Sequence, residues 1–309
     1  MSDYDAIVIG AGPAGQHCAG HLADAGLRVA IVERERVGGE CDYWACIPSK
    51  TLLRPGEALQ AAREAPGARE AVSGGVHADG AFGWRDFMVS GYEDGAKAEY
   101  LESKGIEVLR GTARLAGAGR VEIDRDTHSA EHVVIATGSD AAIPPVPGLR
   151  ELDGIWTNRE ATALTEVPVR LLVLGGGPVG VEMAQAVHRL GASVALVEGM
   201  EHVLPREPKP LGVALGTALE GDGLELYLPG ARQRRPTGGR RVRRRVRRAR
   251  GVARRAAAGW RPAGARVHDL GLDTVGITPT PQGVPVDERM RVADGLWAIG
   301  DVTGLWPLT

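Results

Sequence analysis

Apolar positions in this chain fall in short strand-length runs separated by stretches of helical period. Ala6 to Ile9 is the first run, and it enters Gly10-Ala11-Gly12-Pro13-Ala14-Gly15. A helical pattern follows to about Ala25, where Gly26 ends it, and Arg28 to Val32 forms a second run that closes on Glu33. Strand, glycine turn, helix and strand in that order predict a β-α-β unit built to hold a dinucleotide. The glycines allow a tight turn and let a pyrophosphate approach the helix N-terminus, where unpaired N–H groups and the helix dipole favour negative charge. Glu33 lies 23 residues after Gly10, at the end of the second strand, where a carboxylate bonds a ribose diol.

The unit recurs. Leu171 to Leu174 leads into Gly175-Gly176-Gly177-Pro178-Val179-Gly180, a helical pattern runs to about Leu190, and Gly191 stops it. Ser193 to Val197 then ends at Glu198, again 23 residues after the first glycine, Gly175. Two such fingerprints with correct flanks predict two dinucleotide sites. Between them, Val133 to Ala136 is a buried strand ending in Thr137-Gly138. Ile143-Pro144-Pro145-Val146-Pro147-Gly148 reads as a linker, and Leu296 to Ile299 is a late apolar strand ending in Gly300-Asp301.

One segment breaks the pattern. Residues 231–266 hold 15 arginines and no Asp, Glu, Lys, Leu or Ile. Like-charged, aliphatic-poor sequence cannot bury enough surface to offset chain ordering, so disorder is expected there. A polyanion-binding tract and a solvated basic insert are two readings. Out-of-frame translation of GC-rich coding sequence is the favoured third, because sensible sequence returns abruptly at Val267-His268-Asp269-Leu270.

Composition narrows the class. The 309 residues suffice for two domains, the 44 glycines fit close backbone approach, and the net charge of -2 carries no partner information. No apolar run reaches transmembrane length, and the acidic Met1-Ser2-Asp3-Tyr4-Asp5 runs straight into a strand, so neither membrane span nor signal peptide is expected. A reducing cytoplasm is the expected location, where paired cysteines are catalytic more often than structural.

Of the 3 cysteines, Cys41 and Cys46 lie five apart in Gly38-Gly39-Glu40-Cys41-Asp42-Tyr43-Trp44-Ala45-Cys46-Ile47-Pro48-Ser49-Lys50. Five residues of regular helix rise about 7.5 Å. A disulfide needs Cα atoms within about 4.4–6.8 Å. The pair can therefore bridge only across a distorted turn, and a thiolate there, near a helix N-terminus, would be nucleophilic at neutral pH. Tetrahedral zinc would need two more ligands at suitable spacing, and no second Cys pair supplies them, so no metal site is expected. Cys18 reads as core, and His17 and His21, one turn apart, as surface residues.

With these residues in view the chain resembles the class I pyridine nucleotide–disulfide oxidoreductases, the flavin-dependent family of dihydrolipoamide dehydrogenase, glutathione reductase and mercuric reductase. The carrying motifs are Gly10-x-Gly12-x-x-Gly15 with Glu33, Cys41-x4-Cys46-x-Pro48-Ser49-Lys50, Ala136-Thr137-Gly138, the second fingerprint and Gly300-Asp301. The resemblance implies an α/β fold of two Rossmann-like domains. The FAD domain spans 1–150 and returns at 271–309, with the NAD domain at 151–270. It implies that Gly10, Gly12, Gly15, Glu33, Thr137, Gly138, Gly300 and Asp301 hold FAD. It also implies that Gly175, Gly177, Gly180 and Glu198 hold NAD rather than NADP, since a carboxylate at Glu198 repels a 2′-phosphate. Cys46 matches the flavin-side thiol, Cys41 the interchange thiol, and Lys50 the lysine paired with a glutamate at Glu182. The implied substrate is a small or protein-bound disulfide or dithiol. A flavin diaphorase acting on quinones or metal ions, and an inactive product with a polyanion-binding tract, are the alternatives.

The chain departs from the family pattern in three places. Glu40 and Asp42-Tyr43-Trp44-Ala45 replace its usual residues around the thiols, which leaves the substrate open. Its second Thr-Gly turn is represented only by Ala258-Gly259-Trp260-Arg261-Pro262. The sequence stops at Trp306-Pro307-Leu308-Thr309, before the interface domain that makes the family's homodimer and supplies its catalytic histidine. No catalytic histidine is therefore assigned, and a chain ending there is expected to hold FAD weakly and turn over slowly.

Overall fold

The computed structural model describes residues 2–229, 256–257 and 261–305. The frameshift reading of 231–266 and the remnant turn at 258–262 thus fall largely outside the described residues. In chain order the elements are β1 (Tyr4–Ile9), α1 (Pro13–Asp24), β2 (Val29–Glu33), α2 (Gly39–Tyr43), α3 (Cys46–Glu64), α4 (Ala78–Met88), α5 (Gly95–Ser103) and β3 (Ile106–Arg110). There follow β4 (Ala113–Leu115), β5 (Arg120–Ile123), β6 (Asp126–Ile135), β7 (Ser139–Ala142), α6 (Asn158–Thr162), β8 (Arg170–Leu174), α7 (Pro178–Arg189) and β9 (Ser193–Val197). Last come α8 (Lys209–Asp222), β10 (Glu225–Tyr227), β11 (Ala256–Ala257), β12 (Arg261–Ala265), β13 (Arg291–Ala293) and β14 (Leu296–Ala298).

The chain divides into two units. The first comprises Met1–Ile47, Asp86–Ala141 and Pro262–Thr309, the second Pro48–Arg85 and Ala142–Arg261. The sequence placed 48–85 in the first domain. The structure groups it with the second unit because Leu52, Leu53 and Phe82 join the apolar cluster of Trp156, Val181, Met183 and Leu196. The proline-rich stretch at 143–148 follows directly on the boundary at Ala141.

In the first unit the strand order is β13-β14-β6-β1-β2-β3, with β4 and β5 continuing from β6. β1 is parallel to β2 and β6, and β14 is parallel to β6. Ile7, Val8, Ile31 and Ile135 are almost wholly buried, which explains why these central strands read as continuous apolar runs rather than alternating ones. Each such side chain contributes about 1.5–3 kcal/mol by leaving water. The register carries the functional consequence. Ile9 pairs with both Val32 and Ile135, and Ile135 with Ala298. Four strands therefore end level, and the residues that follow them emerge along one edge: Gly10, Glu33, Ala136 to Gly138, and Ile299 to Asp301. Ligands of open parallel sheets bind outside such carboxyl ends.

The second unit has a parallel sheet in the order β10-β9-β8-β11, with α7 joining β8 to β9. Ala256 and Ala257 add β11 beside Leu172 and Val173. Part of the arginine-rich segment is thus ordered: β11 and β12 are strands, and the expectation of disorder does not extend to 256–257 or 261–266.

Candidate active site

The first glycine turn is set by space. Gly10 has φ +106°, and a Cβ there would lie 2.4 Å from the Ala136 carbonyl oxygen. A Cβ on Gly15 would lie 1.8 Å from the Gly10 carbonyl oxygen, so α1 can press on the turn only with glycine there. Gly12 differs: its φ is -71° and a Cβ would meet no protein atom within 4 Å. It faces open space, the approach that a pyrophosphate would occupy. Gly12 also caps α1 without any side-chain hydrogen bond, leaving first-turn N–H groups available to an anion.

Gly10 and Gly12 line a cavity of about 260 Å3 in the first unit, together with Glu33, Glu40, Cys41, Trp44, Thr137, Gly138, Ser139, Arg266, Gly300 and Asp301. Glu33 is fixed by the backbone: Ala11 N–H donates to Oε2 at 2.9 Å and Glu35 N–H to Oε1 at 2.8 Å. Asp301 is buried, and Ser139 Oγ donates to its Oδ2 at 2.9 Å. Two positioned carboxylates could each accept from ligand hydroxyl groups, and the open glycine turn between them would admit a diphosphate. This donor and acceptor set fits FAD. Glu33 would hold the adenosine ribose, Gly12 and the first turn of α1 the diphosphate, and Asp301 the ribityl hydroxyls.

The thiols sit beside this cavity. α2 stops at Tyr43, Trp44 leaves the helix with φ -135° and ψ 3°, and α3 begins at Cys46. The helix thus breaks between the two cysteines. Both cysteines are unbridged thiols. The neighbouring Cys46 side chain, burial and the Asp42 carboxylate all push the Cys41 pKa up. Cys46, as the first residue of a 19-residue helix, lies where the dipole favours negative charge. Cys41 lines the cavity.

Neighbours brace the loop that carries them. Asp94 Oδ2 accepts from Val37 N–H at 2.7 Å and from Arg110 Nη1 at 2.6 Å. The buried Tyr43 hydroxyl donates at 3.2 Å to the carbonyls of Val37 and Glu93. Arg36 lies over the rings of Trp44 and Tyr43, 5.4 and 5.9 Å from their centroids. Lys97 pairs with Asp42 at 2.9 Å.

Sequence reasoning missed Arg266, counted among the arginine tract. Its Nη2 donates to Glu40 at 2.8 Å and its Nε to Asp140 at 2.5 Å. Nothing in the sequence separates it from its neighbouring arginines. Its partner Glu40, directly before Cys41, was the available signal.

The second unit repeats the first turn's geometry. Gly175 has φ +105°, Gly177 caps α7 without a side-chain bond, and Gly180 is buried in the helix. Glu198 Oε2 accepts from Gly176 N–H at 2.6 Å and Oε1 from Met200 N–H at 2.8 Å, as Glu33 does in the first unit. Lys50 Nζ donates to Glu182 at 2.8 Å, and Ser49 Oγ donates to the same carboxylate at 3.2 Å. His17 and His21 are exposed, and Cys18 is part of the first unit's core. Among the described residues no group of three His, Cys, Asp or Glu could hold a metal ion, and no helix is long and apolar enough to cross a membrane.

Known proteins agree with this architecture. The profile of the family described as pyridine nucleotide-disulphide oxidoreductase matches residues 4–309. A dihydrolipoyl dehydrogenase of Thermus scotoductus is 35% identical over 315 residues, covering 98% of this chain and 67% of that protein. A mercuric reductase of Staphylococcus aureus is 34% identical over 226 residues, 72% of this chain and 41% of that protein. The HOCl-induced flavoprotein disulfide reductase RclA of Escherichia coli, solved as a Cu(II) complex, aligns with TM-score 0.77 and 26% identity over all of this chain and 68% of its own. The chain spans about two thirds of the length of the dihydrolipoyl dehydrogenase and of RclA. A doubly glycine-turned α/β chain with a Cys-x4-Cys helix break, matched by this profile over nearly its whole length, belongs to the pyridine nucleotide-disulphide oxidoreductase family, flavoenzymes that use FAD and a nicotinamide nucleotide.

Proposed function

We propose that this chain is the catalytic part of an NAD-linked dithiol–disulfide oxidoreductase working through Cys41 and Cys46, in the manner of a dihydrolipoyl dehydrogenase. One observation carries the reading: Cys41, separated from Cys46 by the helix break at Trp44, lines the same cavity as Glu33 and Asp301. The first unit is the FAD-binding domain and the second the NAD-binding domain. FAD, held by Glu33, Gly12 and Asp301, would supply two-electron transfer between a nicotinamide nucleotide and the thiol pair.

The chain's own residues do the exchange. Cys41 first gives up its thiol proton, and its sulfur then attacks one sulfur of the substrate disulfide. A Cys41–substrate bond forms, the substrate S–S bond breaks, and the leaving thiolate takes up a proton. Cys46 then attacks Cys41 within that mixed disulfide. The second substrate thiol leaves and takes up a proton, and a Cys41–Cys46 disulfide remains, oxidised by the two electrons the substrate gained. The reverse sequence oxidises a dithiol. Lys50 and Glu182 form an ion pair within the second unit. Glu198 favours NAD, because its carboxylate accepts from a ribose diol and repels a 2′-phosphate.

The similarity to a mercuric reductase favours a second reading, reduction of metal ions or quinones by the loaded flavin. The purified chain, supplemented with FAD, separates the two. NADH-dependent reduction of lipoamide that falls about 10³-fold in Cys46→Ser, with quinone reduction retained, supports the first. Equal activity of Cys46→Ser and wild type towards lipoamide overturns it.

A further inference from the structure

Arg266 joins three separate pieces of the first unit. Its N–H donates to the Gly138 carbonyl at 3.0 Å, and its own carbonyl accepts from Thr137 Oγ1 at 2.9 Å. Its guanidinium forks between Asp140 on β7 and Glu40 on α2. The Arg266 and Glu40 side chains are only 18% and 15% exposed, whereas Asp140 is 61% exposed. A carboxylate as buried as that of Glu40 needs its counter-charge, since removing one partner leaves an uncompensated charge out of water. Glu40 immediately precedes Cys41, and both line the cavity with Arg266. On the other side of Cys41, Asp42 is matched by Lys97. The interchange thiol therefore lies between two acids, each neutralised by a cation from a distant part of the chain.

We propose that Arg266 is a positioning residue for the Cys41–Cys46 pair: it holds Glu40 and the first turn of α2 against the Thr137-Gly138 turn, and it cancels the carboxylate charge beside the Cys41 thiol. This rests on the reading of the pair as the redox centre. Cys41 is flanked in its own helix by Glu40 and Asp42, which pair with Arg266 after β12 and with Lys97 from α5; Arg266 also pairs with Asp140 on β7, and the Cys46 thiol begins α3. Glu33 at the end of β2, Glu35 and Arg36 after it, and Asp301 after β14 are the other charged residues of the cavity lining.

The test is the pH profile of Cys41 alkylation by iodoacetamide in the reduced full chain, resolved by site with peptide mass spectrometry. Arg266→Gln should move the Cys41 midpoint up by about half to one pH unit, about three- to tenfold slower alkylation below the midpoint. Glu40→Gln should move it down, and Arg266→Gln with Glu40→Gln should return it close to the wild-type value. Unmoved midpoints in both single variants overturn the proposal. So does a shift in Arg266→Gln that the double variant fails to reverse, since that would come from lost packing rather than from the Glu40 charge. If Arg266→Gln does not fold, Glu40→Gln decides alone: a downward shift supports the proposal and no shift overturns it. Whether oxidation of the wild-type chain joins Cys41 to Cys46, read as a loss of two hydrogens in mass, tests the redox reading separately.

Discussion

Cys41 and Cys46 stand on two successive helices, because Trp44 leaves the helix between them. In an unbroken helix the same spacing would separate the two residues by about 7.5 Å of rise. The break is held from outside the motif. Tyr43 is tied to Val37 and Glu93 through its hydroxyl, and Arg36 covers the Tyr43 and Trp44 rings. The geometry of the thiol pair thus belongs to the loop and its braces as much as to the two cysteines.

Gly12 and Gly15 stand in the same motif but should fail differently. A methyl group on Gly12 meets open space, whereas one on Gly15 strikes the Gly10 carbonyl. Gly12→Ala should keep its melting temperature within about 2 °C of wild type while flavin affinity falls at least about tenfold. Gly15→Ala should lose about 3 kcal/mol or more of stability. Thermal melts beside flavin titrations separate the two, and equal melting temperatures for both variants would contradict the assignment.

The Lys50–Glu182 ion pair is too exposed to matter much for folding, with side chains 63% and 30% accessible. Such pairs contribute about 0–1 kcal/mol. Lys50→Met should therefore shift the melting temperature by less than about 3 °C, while turnover with NADH falls about tenfold or more if the pair serves catalysis. Unchanged turnover would reduce it to a surface contact.

Glu198 should decide the nicotinamide. Replacing it with Gln removes the charge that repels a 2′-phosphate and weakens the acceptor for a ribose diol. The ratio of kcat/KM for NADH over NADPH should drop about tenfold. Steady-state kinetics with both nucleotides checks this, and an unchanged ratio would place the discrimination elsewhere.

Asp94 links the thiol loop to acid stability. Its pKa is lowered overall: burial opposes this, but the bonds from Arg110 and from Val37 N–H outweigh it. A carboxylate with a depressed folded-state pKa stabilises the protein above its unfolded value of about 4, and loses that contribution as pH falls through the lower folded value. Asp94→Asn should cost about 1–3 kcal/mol near pH 7, and the difference from wild type should close as the pH falls below about 4. Denaturant melts at the two pH values measure it. A pH-independent difference would show that the charge of Asp94 is not what matters.

Much of this protein was legible without coordinates. Both glycine turns, their helices and their terminal glutamates follow from local rules: glycine where φ is positive or space is short, apolar runs where a strand is buried on both faces, and a carboxylate where the second strand ends. These features depend on neighbours in sequence, so sequence carries them. The even spacing of Glu33 and Glu198 from their turns reappears as one hydrogen-bond pattern in both units. What only the tertiary structure decided depends on partners far apart along the chain. Residues 48–85 go with the second unit because their apolar side chains find their cluster there. Asp94 holds the loop before the thiols across 57 positions. Arg266, one arginine among many in sequence, becomes the partner of Glu40 across 226 positions. The sequence shows that the arginine is charged, but only the packed fold places a partly buried carboxylate within its reach.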